Sequence, residues 1–297
     1  MALRRFQCLE KRMKKDEVLA ETMKRKFTDY LSKGYIRKLS DEELCQPFQR
    51  IWYLPVFPVT NPNKPGKVRL VWDAAAKAFG VSLNSTLLKG PDHLSSLFAV
   101  LIGFREHRVA LTGDIREMFH QVLIRKEDQQ CQRFHWRDES GNIAVFVMCV
   151  MTFGACCSPS SAQYVMNLNA TRFAEEYPAA MEVIHKRHYV DDMLVSDDTE
   201  DAHQHILQLA SDVKFVHSRG GFDIRNWASN SKRVLEALHT KNAEEKSMDL
   251  SPETANEKVL GMWWCTAKDI FNYRVGWDRY DCNLWKGLRR ATKRDFL

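Results

Sequence analysis

The chain has 297 residues, 44% hydrophobic and 28% charged, which suits one large or two ordinary domains around a packed core. No apolar run reaches the roughly 18 residues of a membrane span, and the basic start Met1-Ala2-Leu3-Arg4-Arg5 leads into charged sequence. The expectation is therefore a cytoplasmic or nuclear chain with no secretion signal and no membrane partner. Net charge is +6, but residues 1–38 hold 12 Lys/Arg against 5 Asp/Glu, so the positive charge is concentrated at the start.

Residues 1–45 read as a basic N-terminal helical segment. Leu9, Met13, Val18, Met23, Phe27, Tyr30 and Leu31 keep a helical period that predicts one helix over 7–33, stopped at Gly34. Ser40 and Glu43 have capping-box spacing. The prolines within 52–59 favour extended chain, 61–66 a turn, and 67–72 a return strand on which Lys67, Arg69 and Val71 share a face. A helix is expected over 91–105 and a short buried strand from 109 toward Asp114. Residues 118–124, 131–136 and 143–150 read as strands, with a turn at Gly141-Asn142. Pro159 opens a helix running to about 176, with Ala162, Val165, Met166 and Leu168 as its apolar positions. Strand, turn and strand follow over 185–196, then a helix over 201–219 ended by Gly220-Gly221. Strands are expected over 222–227, 259–265 and 270–277. The sum is α+β, with strands in hairpins and helices on one side.

The eight cysteines include the adjacent Cys156 and Cys157 but no Cys-x-x-Cys pair, so reduced thiols are expected. His203 with His205, or His185 with His188, could in principle share a metal. No Cys or carboxylate completes a tetrahedral set, and surface or packing roles are favoured. Both the N-terminal segment and the cluster Lys286, Arg289, Arg290, Lys293 and Arg294 could attract phosphates, or could be solvated helix faces.

The sharpest chemical signal is Tyr189-Val190-Asp191-Asp192, with Asp114 lying 77 residues upstream of Asp191. Adjacent carboxylates between apolar strand residues break a local rule, because two-residue hairpins prefer Asn-Gly or Asp-Gly. Three carboxylates brought together could hold two Mg²⁺ ions roughly 4 Å apart, the requirement of nucleotidyl transfer. Ile115 could add a carbonyl ligand. The plain alternative is a polar turn, and Asp197-Asp198 is read as such a surface pair. Lys67 and Arg69 could reach triphosphate oxygens. Phe119 would sit beside the sugar of an incoming nucleotide, and Phe153-Gly154 could support the template and nucleotide base. Read singly, each of these is equally a solvated strand face, a core aromatic and a helix N-terminus.

Eight segments in order resemble the reverse transcriptase of LTR retrotransposons, most of all the BEL/Pao group. They begin at Lys67-Val68-Arg69-Leu70-Val71-Trp72, Gly80-Val81-Ser82-Leu83-Asn84, Leu111-Thr112-Gly113-Asp114 with Phe119, and Gln132-Arg133-Phe134. They continue with Phe153-Gly154, Tyr189-Val190-Asp191-Asp192, Gly220-Gly221-Phe222 with Trp227, and Val259-Leu260-Gly261. The resemblance implies a right hand: fingers at 46–92 and 122–157, an antiparallel palm at 93–121 and 158–265, and the start of a largely missing thumb or connection at 266–297. It implies RNA-directed DNA polymerase activity, with Asp114, Ile115, Asp191 and Asp192 as ligands of two Mg²⁺, Mn²⁺ able to substitute, and the three aspartates as the catalytic set. Lys67, Arg69, Phe119, Phe153 and Gly154 would bind nucleotide, Phe119 by excluding a 2′-hydroxyl. Leu260, Gly261 and Met262 would form the primer grip. A general acid is not defined, with Lys232 and Arg225 as weak candidates. The implied partners are a primed RNA or DNA template, deoxynucleoside triphosphates and, in a full-length parent, protease, RNase H and integrase domains. The competing expectation is an inactive remnant that binds nucleic acid only.

Overall fold

The structure, a computed structural model, describes residues 1–61, 64–241 and 256–272, with backbone only at 61, 64–67, 239–241 and 256. Helices α1 (Ala2–Met13) and α2 (Glu17–Ser32) lead into β1 (Ile36–Lys38) and the short α3 (Asp41–Cys45). The hairpin β2 (Val56–Asn61) and β3 (Lys64–Trp72) is followed by α4 (Leu83–Thr86), α5 (Leu97–Arg105) and β4 (Val109–Ile115). A 3-10 turn (Met118–Gln121), α6 (Lys126–Gln129), β5 (Arg133–Arg137) and β6 (Ile143–Met148) come next, then α7 (Ser158–Thr171) and α8 (Pro178–Lys186). The remaining elements are β7 (His188–Tyr189), β8 (Asp192–Asp197), α9 (Ala202–Arg219), β9 (Ile224–Ser229), α10 (Lys232–Lys241), β10 (Asn256–Val259), β11 (Met262–Cys265) and β12 (Ile270–Asn272).

The central sheet has the order β7-β8-β4-β9 and is antiparallel throughout. Its strands are short and apolar because both faces are covered. One face carries α7, α8, α9 and α10 through a core that includes Leu111, Ile115, Met166, Ile184, Val213 and Trp227. The other carries α5 and the β10-β11-β12 sheet through Val100, Phe104, Ala110, Leu194, Ala228 and Trp264. This corrects the expectation that helices lie on one side only. The register within β4 sends alternate residues to opposite faces, and each face finds its own apolar partner.

A second core joins α1 and α2 to the β2-β3 hairpin and the β1-β6-β5 sheet. Phe27 stacks on Trp136 with ring centroids 3.8 Å apart, and Tyr30 lies parallel to Trp72 at 6.0 Å. The N-terminal segment is thus built into the same body as the hairpin. Ion pairs Arg5–Asp73 and Glu10–Arg137 pin α1 at its edge. Both arginines are about half exposed, so packing holds the segment more than charge does.

Local chemistry explains several differences from expectation. The helix predicted over 7–33 is two helices, because Asp16 turns its carboxylate back to accept from the Leu19 backbone N–H at 2.9 Å and caps a new start. The capping box at Ser40 and Glu43 forms. The helix expected from Pro91 begins only at Leu97, after the Ser96 cap. The stretch 118–124, expected as strand, opens instead with the 3-10 turn. The helix after Pro159 ends at Thr171, and the separate α8 starts on Pro178. The strand expected over 259–265 is broken into a hairpin by Leu260 and Gly261, which both have positive φ. Most of the thumb expectation at 266–297, everything after 272, lies outside the described residues, as does the basic cluster at 286–294. Among the described residues no helix is long and apolar enough to cross a membrane.

Candidate active site

The three aspartates meet at one end of the central sheet. β4 and β8 pair so that Asp114 lies directly across from Asp192. The Ile115 N–H donates to the Asp191 carbonyl at 2.8 Å, which locks the turn against the end of β4. Gly113, between Thr112 and Asp114, is required by packing: a Cβ there would stand 2.9 Å from the Trp227 ring.

The turn itself differs from the sequence reading. Tyr189 pairs with Asp192, so the central pair is Val190-Asp191 rather than the two aspartates. The strained residue is Val190, with φ of 58°, a conformation that a β-branched side chain strongly resists. The ladder on one side and partial burial of Val190 against the helix-side core hold it there.

Charge is unbalanced at this edge. Burial, then the charges of Asp191 and Asp114, push the Asp192 carboxyl up to about 7, against a hydrogen bond from the Leu260 backbone that lowers it. Asp191 is raised by the same desolvation and by Asp114, while Arg69 opposes the rise. Asp191 is solvent-exposed by area, so its shift is the weaker of the two. Three hard oxygen donors whose repulsion one cation would relieve suit Mg²⁺ or Mn²⁺. As the side chains stand, no three His, Cys, Asp or Glu among the described residues are grouped so as to hold a metal ion. One Asp114 oxygen is instead held at 2.5 Å by the Asn226 side-chain amide.

Asn226 is the contact that sequence reasoning missed. Between the pairs Thr112–Ala228 and Asp114–Arg225, β9 carries one residue more than β4, a bulge. Asn226 sits in it with φ of 54° and turns its amide toward Asp114. The only advance signal was that Asn tolerates the left-handed region better than most residues. Arg225 is the cross-strand partner of Asp114 and has a buried Nε with no hydrogen-bond partner among the described residues. Lys232 is exposed at the start of α10.

Of the other candidates, Arg69 and Leu260 are tied directly to this edge. Arg69 is exposed on β3 and its charge reaches Asp191; Lys67 lies in the same strand, and its side chain is outside the described residues. Phe119, in the 3-10 turn, and Phe153 are in contact at 5.0 Å between ring centroids. Gly154 has φ of 120°, and a Cβ would fall 2.1 Å from the Trp72 carbonyl, so only glycine fits. Trp72 also donates its N–H to the Phe153 carbonyl at 3.2 Å. Leu260 and Gly261 form the β10-β11 turn beside Asp192, and Met262 begins β11.

The remaining polar candidates have ordinary partners. His205 bonds Asp197, which is buried rather than the surface acid expected, and His185 meets Thr171 and the Asn167 carbonyl. His188 and His217 are a buried pair with Nε2 atoms 3.0 Å apart.

A family model described as "Reverse transcriptase (RNA-dependent DNA polymerase)" matches residues 65–214, half of the chain. No curated protein matches. Among solved structures, the foamy viral protease-reverse transcriptase in complex with double-stranded DNA aligns at 18% identity with a TM-score of 0.52, over 77% of this chain and 37% of that one. The same viral protein in complex with an RNA/DNA hybrid aligns at 17% identity and a TM-score of 0.52, over 83% of this chain and 26% of that one. At such identities the similarity is one of fold, the palm and fingers of a polymerase hand. The chain spans between about a quarter and little more than a third of these longer proteins.

Proposed function

The chain belongs to the reverse transcriptase (RNA-dependent DNA polymerase) family, and from that premise we propose that it is an RNA-directed DNA polymerase domain. It would add deoxynucleotides to a primer 3′-hydroxyl on an RNA or DNA template. The observation that carries this reading is the pairing of Asp114 with Asp192 across adjacent strands, with Asp191 locked to Ile115 beside them. Asp114, Asp191, Asp192 and the Ile115 carbonyl would hold two Mg²⁺, or Mn²⁺ in their place. When bound, such ions activate the primer oxygen and neutralise the charge of the transferred phosphate.

The protein's own groups supply positioning. Arg69 would meet the triphosphate from the hairpin, with Lys67 two residues before it in the same strand, and their charge would draw it toward the carboxylate edge. Phe119 stands where the sugar of the nucleotide lies and leaves no room for a 2′-hydroxyl. The Phe153-Gly154 turn backs the templating base pair. Leu260, Gly261 and Met262 hold the primer end next to Asp192. In hand terms, residues 46–92 and 122–157 are fingers and 93–121 and 158–265 palm. The two N-terminal helices belong with the fingers through their shared core. The parent is read as an LTR retrotransposon of the BEL/Pao group, with protease, RNase H and integrase as companion domains.

The test is primer extension with deoxynucleotides and Mg²⁺, alongside Asp191→Asn. The parent should extend a primer on RNA and on DNA, and the variant should not, with an unchanged circular dichroism spectrum. Salt-sensitive primer–template binding without extension by the parent would replace this reading with that of a nucleic-acid-binding remnant.

A further inference from the structure

We propose that Lys33 and Tyr35, in the N-terminal segment, are positioning residues for the choice of nucleotide sugar, acting on Phe119 through Glu117. This rests on the reading of Phe119 given above and extends it to residues outside the span 65–214.

Glu117 lies between the end of β4 and the 3-10 turn that carries Phe119, and its φ is 47°. A non-glycine residue held there is strained and persists only where its surroundings enforce it. The enforcing groups come from the N-terminus. The Lys33 ammonium donates to both Glu117 carboxylate oxygens, at 3.0 and 3.3 Å, and Tyr35 donates its hydroxyl to one of them at 3.2 Å. Lys33 is itself fixed by Asp29 at 2.8 Å. The Gln121 amide closes the far end of the turn, donating to the Tyr35 hydroxyl at 3.0 Å and to the Glu117 carbonyl at 3.3 Å. The side chains of Lys33 and Glu117 are each only 23% exposed, so solvent screens this pair less than a surface ion pair. Burial would raise the Glu117 carboxyl, but the bond and charge of Lys33, with His120 and the Tyr35 hydroxyl, together outweigh it and the net shift is downward.

The aromatic side of the turn is clamped by the same segment. His120, next to Phe119, is buried and packs on Tyr30, Tyr35 and Phe153 at 5.1, 5.1 and 5.4 Å between ring centroids. Phe119 in turn meets Phe153. The position of the Phe119 ring is therefore set by bonds at Glu117 and Gln121 and by stacking at His120, and Tyr35 takes part in all three. A wall that must reject one oxygen atom has to be placed to a fraction of an ångström.

The experiment compares kcat/KM for a deoxynucleotide and its ribonucleotide on one primer–template, for the full chain and its variants. Lys33→Met and Glu117→Gln should each lower the deoxy-to-ribo ratio by about tenfold or more. The double variant should lose no more than either single one, and Lys33→Arg should keep the ratio. Thermal unfolding of the same samples separates loosening of the turn from loss of the fold, since a merely stabilising contact changes the melting temperature without changing the sugar ratio. A gel shift of the ternary complex on a dideoxy-terminated primer, with deoxy- or ribonucleotide, provides a second readout, and Tyr35→Phe a milder variant. The proposal is overturned if Phe119→Ala collapses the ratio while folded Lys33→Met and Glu117→Gln variants leave it unchanged. If Phe119→Ala itself leaves the ratio unchanged, the sugar-facing role of Phe119 fails, and the proposal goes with it.

Discussion

The core beneath the fingers hairpin and the carboxylate edge of the palm sheet spend their residues differently. In the first, Phe27, Trp136, Phe134, Trp72 and Tyr30 pack by stacked and edge-on ring contacts, with Met23 fully buried in the same cluster. In the second, four of the six non-glycine residues with positive φ among the described ones gather around the aspartates: Glu117, Val190, Asn226 and Leu260. At the same edge burial, and then neighbouring carboxylates, push the Asp191 and Asp192 carboxyls up. One region supplies stability; the other stores strain and repulsion that the first must offset. Removing a residue from the core should cost folding and little specific chemistry, whereas changes at the edge should cost chemistry and can even stabilise the fold.

The strongest break in this contrast is Asp191→Asn, expected to lower primer extension by more than about a thousandfold, ~4 kcal/mol in the barrier, without loss of fold. Next is Phe27→Ala, expected to cost roughly 3–5 kcal/mol, read as a fall in the urea midpoint. If it left stability intact, the aromatic layer would not be the foundation described here.

Asp192 offers a gain in the opposite direction. Its folded pKa of about 7 exceeds the ordinary 3.8, so between those values the folded chain holds a proton that the unfolded chain has released. Stability therefore falls as pH rises through that window and is lowest above it. Without divalent ions at pH 8, Asp192→Asn should raise the melting temperature by a few degrees, on the scale of about 2–4 °C per kcal/mol. The difference should vanish below pH ~4, and added Mg²⁺ should stabilise the parent more than the variant. An unchanged or lower melting temperature at pH 8 would show that the carboxylates do not repel as described.

Asn226→Ala frees one oxygen of Asp114. Divalent-ion binding, followed by calorimetry, should weaken by about three- to tenfold if the amide orients that carboxylate, a loss of ~1 kcal/mol. Val190→Gly should have the smallest effect on stability, within about 1 kcal/mol, because relief of its backbone strain offsets the lost packing. A large destabilisation would mean that the turn is not strained.

The legible parts of this molecule were those written in contiguous residues. Leu111 to Asp114 and Tyr189 to Asp192 could be read as strand ends because apolar runs stop there on carboxylates. The Ser40 cap and the α9 stop at Gly220-Gly221 were equally local. The helix break depended on which way Asp16 turned its side chain, a choice the apolar period does not record. The bulge that aims Asn226 exists only when β9 is laid against β4. Glu117 carries no signal in its own neighbourhood, because its partner Lys33 lies 84 residues away in the chain. The second covered face of the sheet went unseen because α5 and the β10-β11-β12 hairpins lie far apart in sequence and meet through Phe104 against Trp264 and Phe271 and through Arg105 bound to Asp269.

β4 works as a measuring rod. Seven residues separate nothing more than two ends of a strand, yet their number decides which way Asp114 points. Exchange one apolar residue for another and the layers above and below repack; delete one between Val109 and Gly113, and parity reverses, turning the carboxylate inward among Met166 and Ile184. For this stretch a change of length is a heavier lesion than almost any change of letter.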